Sequence, residues 1–380
     1  GKDIISGYYQ IKDFELDRTK VDKEEGPSMM KKQLIKVKEF CKHPLSDAIE
    51  DDTTSFRYNL STAQVAEVSA QLTSAMRLLP FVMVINSSIT NIEVIDHNCD
   101  KHNTYTKRLD QETKDIEVKG WKVHSDVVVM NEGTPSSKTF PCKCLRSEKG
   151  DVIIIPPFPP ACGNVNEIPS LFLWFPLLGT EAFGVNFIFH SERFHPVEKR
   201  NNIMLPGKSA VRQEKGGYNS DVLNEMMDVL FAYYSKAEHA KSLTREMCEV
   251  AFPEICDDEE TLKFYKELQS KWKSKVVDWK SIHVNEEYVS ISDSRVKLLH
   301  PDFYKELNEE QRATYEPTLA SYAKLPKRAD GVPYLMPDKD LIRWSDTVNR
   351  WGCQRDGEFF ITVKDVCETI KEKSADLHSF

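Results

Sequence analysis

Glycine is scarce in this chain, with 15 among 380 residues. No G-x-x-x-x-G-K-[ST] loop and no G-x-G-x-x-G turn occurs, so neither glycine-built phosphate cradle is encoded. A G-x-S-x-G elbow and an H-E-x-x-H pair are missing as well, which leaves no self-contained hydrolase signature. Long apolar runs are missing too: none approaches the roughly 18–20 residues that a membrane-spanning helix needs. The first residues do not follow the charged-then-apolar plan of a signal peptide. Positive charge is in deficit, with 51 Lys and Arg against 60 Asp and Glu and a net charge of −9. A nucleic-acid binder would carry a basic domain, so neither nucleic acid nor membrane is expected as a partner. Nine cysteines are present, an odd number at irregular spacing. That usage reads as a reduced, cytoplasmic chain rather than a disulfide framework. Cys142 and Cys144 form C-x-C without a second pair or spaced histidines, so no metal site is expected.

What is there falls into three textures. In residues 1–97, DIISGYYQI and KDFELD read as a close hairpin. A helical segment, MMKKQLIKVKEFCKH, and a strand, TTSFRYNL, follow. Ser61 and Gln64 fit a capping box, each side chain satisfying the other's backbone amide. Val65, Val68, Leu72, Met76 and Leu79 then recur at helical steps. Pro80 is expected to end that helix, and FVMVI reads as a compact buried strand. The order predicts a mixed sheet with helices over one face. Residues 98–206 are strand-rich: DIEVKGWKVH, DVVVMN, TFPCKCLR and DVIIIP follow NIEVID in short pieces broken by turns. Pro156, Pro157, Pro159, Pro160 and Pro169 rule out a central strand across that loop. Residues 207–380 are mainly helical, with stripes at Leu262, Tyr265, Leu268, Trp272, Val276 and Trp279 and at Leu341, Trp344, Val348 and Trp351. Thr362 and Asp365 can cap a last helix whose apolar face is Val366 and Ile370.

Catalytic chemistry is harder to place. Ten histidines are dispersed, and no carboxylate pair stands out by an apolar setting. The acidic clusters at 50–52 and 257–260 read as solvated helix starts and loops. One stretch does stand out. LFLWFPLL and FGVNFIF, two strand-like runs, lead into His190, Arg193, His195, Lys199 and Arg200. Such a cluster is either a solvated loop or a set of cations reaching for an anion.

The stretch LFLWFPLLGTEAFGVNFIFHSERFHPVEKRNNIML, residues 171–205, resembles a segment of the sacsin-like ATPases, whose nucleotide module is of the heat-shock protein 90 and histidine-kinase-like (GHKL) type. The matching pieces are Phe175-Pro176-Leu177, Gly184-Val185-Asn186, Ser191-Glu192-Arg193 and Lys199-Arg200. TTSFRYNL, its capped helix and LPFVMVINSSI resemble the closing strand-helix-strand of a GHKL nucleotide domain, with Thr53 and Thr54 where a threonine approaches the phosphates.

The resemblance implies an α+β chain: the rear of a GHKL α/β sandwich at 1–97, a strand-rich coupling domain at 98–206 and a helical region at 207–380. The E-x-x-x-N helix, the D-x-G-x-G element and the glycine-rich lid of that family are not in this sequence. With the abrupt, Met-less start, this predicts the rear part of a longer protein. ATP and Mg are expected in the intact protein, held by an upstream nucleotide-binding segment, and neither is expected on this chain alone. In the family a cation from the following domain reaches the γ-phosphate. The resemblance assigns that role first to Arg200, then to Lys199 and Arg193, because a fixed cation there stabilises charge in the transition state. The expected function is a coupling part of a chaperone-like, ATP-driven machine acting on a protein client or partner. The alternative is a non-catalytic interaction scaffold.

Overall fold

The computed structural model describes residues 61–97, 101–109, 117–131, 137–158, 162, 167–249, 258–351 and 359–378. The chain divides into two compact units, Gly1–Val65 and Ala66–Phe380. Of the first, residues 61–65 are described. They form the start of α1 (Thr62–Met76), where Ser61 Oγ accepts the Gln64 amide at 3.4 Å and Gln64 Oε1 accepts the Ser61 amide at 2.9 Å. The capping box read from the sequence is therefore formed.

The second unit is a mixed α+β structure around a nine-stranded sheet, in the order β1-β2-β4-β5-β6-β9-β7-β8 with β3 beside β4. Its strands are β1 (Asn91–Asp96), β2 (Lys101–Leu109), β3 (Glu117–Val118), β4 (Trp121–Asn131), β5 (Ser137–Arg146), β6 (Val152–Ile155), β7 (Leu171–Leu173), β8 (Phe175–Pro176) and β9 (Ile188–His190). Neighbours are antiparallel except β7 and β9, which run parallel. Side chains alternate between the two faces, as the period of two requires. Leu145, Ile153, Ile155, Leu171 and Phe189 enter one core, while Cys144, Val152, Ile154, Phe172 and Ile188 enter the other.

The second core is closed by α2 (Leu79–Ile85), built from the residues LPFVMVI. This corrects the expectation of a strand at FVMVI. A short run buried on every side carries no period to separate strand from helix, and Pro80 sits in the first turn, where its missing N–H costs nothing. Two cations finish the helix. Lys107 Nζ donates to the carbonyls of Met83 at 2.8 Å and Asn86 at 3.0 Å, and Arg146 Nη2 donates to Val84 O at 2.5 Å and Asp126 Oδ2 at 2.6 Å. Cations at a helix C-terminus complement its unpaired carbonyls and its dipole.

DIEVKGWKVH and DVVVMN, expected as separate strands, are one ladder: β3 turns at Lys119–Gly120 into β4, which runs unbroken through both. Pro141 lies inside β5, opposite Val127. It is tolerated because β6 pairs only with Lys143–Arg146, so Pro141 faces an unladdered edge.

On the other face lie α3 (Gly217–Tyr234), α4 (Ala237–Ala240), α5 (Arg245–Cys248) and α6 (Glu259–Val276). The aromatic stripes of α3 and α6 meet there: Phe187 and Phe231 pack on Trp272 with ring centres 5.3 and 5.9 Å apart. The same core continues into α8 (Leu341–Arg350) and the parallel pair β12 (Leu298–Leu299) and β13 (Phe360–Ile361). In the chain β10 (Ile282–Val284) and β11 (Glu287–Val289) precede β12, and α7 (Glu309–Ala323) lies between β12 and α8. The last helix, α9 (Val363–His378), is capped as expected, Thr362 and Asp365 exchanging bonds of 2.8 and 3.2 Å. Of its expected apolar face, Val366 is buried and Ile370 is exposed.

Among the described residues, no single helix is long and apolar enough to cross a membrane.

Candidate functional site

The cation-rich segment leaves the sheet at β9 and returns to the start of α3. His190, the last residue of β9, is fully buried; its Nδ1 lies 3.1 Å from Phe172 O, and its ring lies 4.7 Å from that of Trp174. Burial pushes this imidazole down to about 4, so His190 is neutral at pH 7. It is removed from the group of potential cations because burial would strip a charge there of its hydration, which the nearby Phe172 carbonyl and Asp151 only partly offset.

Arg193 is placed differently. Its Nη2 meets Asp151 Oδ2 at 2.7 Å and its Nη1 meets Glu225 Oε2 at 2.8 Å. Asp151, at the head of β6, is 1% exposed. The guanidinium thus ties the sheet to α3, and both of its outer nitrogens are engaged by carboxylates.

Beyond Phe194 the chain forms a small hairpin. Met204 N–H donates to His195 O at 2.8 Å, Pro196 bridges to Ile203, and Val197 N–H donates to Asn202 O at 3.0 Å. At the tip the Arg200 N–H donates to Val197 O at 2.9 Å, and Arg200 has φ of 51°. That left-handed conformation is uncommon for a residue with a Cβ. Lys199 and Arg200 are both exposed. Among the described residues, neither side chain has an ion pair or a hydrogen-bond partner.

The hairpin's base is held from below. Asn219, fully buried on α3, accepts the His195 N–H at 2.9 Å and donates to His195 O at 2.9 Å and Met204 O at 2.8 Å. The widened helical turn Arg212–Gly216 leads into α3. A Cβ on Gly216 would lie 2.5 Å from the Leu205 carbonyl carbon, so only glycine allows this approach. Arg212 closes the corner, donating to Leu205 O at 3.1 Å and pairing with Asp258 at 3.0 Å. A cleft of about 330 Å³ lies beside the hairpin, lined chiefly by Val197, Ile203, Met204, Leu205, Val211 and Arg212.

An apolar loop abuts the tip. A Cβ on Gly179 (φ 114°) would lie 3.1 Å from Asn201 O, which places the 177–180 turn against the residue after Arg200. From this loop Phe175 and Leu178 are 60% and 59% exposed. Trp174, at φ 64°, is held by Asn86 Nδ2 on its carbonyl at 2.9 Å.

The structure thus brings Arg193, Lys199 and Arg200 into one segment and separates their environments. Thr53 and Thr54 lie outside the described residues. Lys199 and Arg200 fit the oxygens of a phosphate, Arg through its planar fork. Among the described residues, no group of three or more His, Cys, Asp or Glu side chains could hold a metal ion. Sequence reading missed Asn219, although a signal existed: it stands three and four residues before Val222 and Leu223, a polar residue on the buried stripe of α3. Asp151 and Glu225 carried no such mark, being 42 and 32 residues from Arg193.

No family model, no curated protein and no solved structure matches this chain.

Proposed function

We infer that this chain is a coupling part of a GHKL-type, chaperone-like ATPase, in which Arg200, with Lys199 beside it, meets the phosphates of ATP held with Mg by an upstream nucleotide-binding segment. The observation that carries this reading is the contrast between the cations. Arg193 is spent on Asp151 and Glu225, while Arg200 stands exposed on a braced, left-handed turn and, among the described residues, without a carboxylate. A cation fixed in advance stabilises developing charge without reorganising at the moment of reaction. Arg193 then supports the site rather than touching nucleotide.

The bound nucleotide would supply the phosphoryl chemistry. This chain's share is to position a guanidinium and to link nucleotide state to the sheet through Arg193 and α3. The irregular cysteines support a reducing, cytoplasmic setting, and those at 142, 144, 162 and 248 are buried free thiols.

A second reading, an interaction scaffold without turnover, is favoured by the exposed Trp174, Phe175 and Leu178 beside the tip. ATP turnover by the protein joined to its upstream nucleotide-binding segment separates the two. The coupling reading expects Arg200→Ala to lower turnover by about 100-fold or more while nucleotide binding survives, the scale for loss of one donor to a transition state. Turnover indifferent to that substitution removes Arg200 from the phosphates, and an absence of turnover in the parent protein leaves the scaffold.

A further inference from the structure

The hairpin that carries Arg200 is too short to hold itself. Its legs share one bridge, Pro196 to Ile203, made by two bonds, Met204 N–H to His195 O and Val197 N–H to Asn202 O. Neither bond uses the N–H that Pro196 lacks, but the ladder goes no further. A two-residue-wide ribbon of this kind is marginal by itself in water. Further bonds come from α3. Asn219 Oδ1 takes the His195 N–H, and Asn219 Nδ2 takes both His195 O and Met204 O, all at 2.8–2.9 Å. One fully buried amide therefore grips both legs at their base. The wide turn Arg212–Gly216 and the side-chain-free Gly216 bring α3 close enough to the 204–206 backbone for this grip.

From this geometry we propose that Asn219 is the positioning residue for Arg200, a role that rests on the phosphate reading above: it does not touch nucleotide, but it fixes the hairpin whose tip presents the guanidinium. The requirement is for an amide. A carboxylate of the same shape would keep the bond from His195 N–H and turn an acceptor toward two carbonyls. Alanine would leave the His195 N–H and the Met204 carbonyl without this partner.

The structure supplies a matched control. Asn186 is also buried and its Nδ2 also donates to two carbonyls, Glu246 O at 2.5 Å and Glu249 O at 2.8 Å, but it braces α5 rather than the hairpin. Substituting it perturbs a similar clamp elsewhere.

Two measurements test the role. Hydrogen exchange on the full chain should show Asn219→Ala and Asn219→Asp accelerating exchange of the Val197, Arg200 and Met204 amides, with Asn186→Ala sparing them. In the protein joined to its nucleotide-binding segment, Asn219→Ala should lower kcat about 10-fold or more and leave KM for ATP within about twofold, because misplacement of a positioned group by about 1 Å can cost about 100-fold. Asn186→Ala should leave kcat in place even where it lowers the melting temperature. Combining Asn219→Ala with Arg200→Ala should be no slower than Arg200→Ala alone, since residues acting as a unit are not additive.

A double variant slower than Arg200→Ala by the full Asn219→Ala factor overturns the proposal, and so does an equal kcat loss from Asn186→Ala. Unchanged exchange at the hairpin with Arg200-dependent turnover brings down the role of Asn219 alone. Turnover that ignores Arg200→Ala brings down the phosphate reading and this role with it, whatever the exchange shows.

Discussion

At the root of the segment between β9 and α3, Arg193 divides its guanidinium between Asp151 and Glu225; at the tip, Arg200 projects on a braced turn with no carboxylate partner among the described residues. Both are arginines on one short segment. The root shows what positive charge does for a fold, because Arg193 pairs with the buried Asp151. The tip shows charge that the described residues leave unpaired. A structural arginine is recognised by the carboxylates that hold it, and a candidate functional one by rigid backbone under an unclaimed side chain.

That comparison can be broken at several points. The largest expected effect is at the root: Arg193→Ala takes from the buried Asp151 its paired cation and should cost about 3 kcal/mol of stability, the scale for breaking a buried pair. Urea unfolding measures it, and a loss below about 1 kcal/mol would make the root no different from the tip.

Nearly as large is an acid effect at His190. Its folded pKa, about 4, lies below the ordinary value of 6.5. The unfolded chain therefore binds a proton that the folded one refuses. Stability is complete above about pH 6.5 and declines as pH falls toward 4, by up to about 3 kcal/mol. His190→Gln should flatten this part of the pH profile of unfolding; a profile unchanged by that substitution would assign the acid sensitivity elsewhere.

Gly216→Ala comes next, at about 2 kcal/mol, the usual cost of forcing a methyl group into packed backbone. The Leu205 carbonyl it would strike is main chain and cannot swing aside. Thermal unfolding tests this, and a neutral result would mean that α3 shifts to make room. The smallest effect is again at the tip: Arg200→Ala should change stability by no more than about 0.5 kcal/mol, as surface substitutions do. A loss as large as that of Arg193→Ala would reveal a hidden partner and remove the contrast.

The candidate site was partly legible before the fold was known. The density of cations after two apolar runs marked the segment, and the resemblance of Lys199-Arg200 to a family pattern drew attention to the tip. Nothing local separated Arg193 from Arg200, because the carboxylates that decide between them lie on β6 and α3. The missed strand β2 shows the same limit. Its Lys107 occupies a buried position, which breaks the apolar alternation, and it is tolerated there because the carbonyls ending α2 receive its ammonium.

What this sequence determined alone is what depends on neighbours within a turn or two of chain: the capping pairs Ser61–Gln64 and Thr362–Asp365, the helical stripes of α6 and α8, and the extended character of the segments that form β4 and β5. These follow from backbone periods of 3.6 and 2, which act at short range. Only the tertiary structure decided that FVMVI is a helix, that His190 is neutral, and that Arg193 is bound by carboxylates while Arg200, among the described residues, is not. Each of those outcomes turns on burial and on partners supplied by distant segments, and the energies of burying or pairing a polar group outweigh local propensity wherever the two compete.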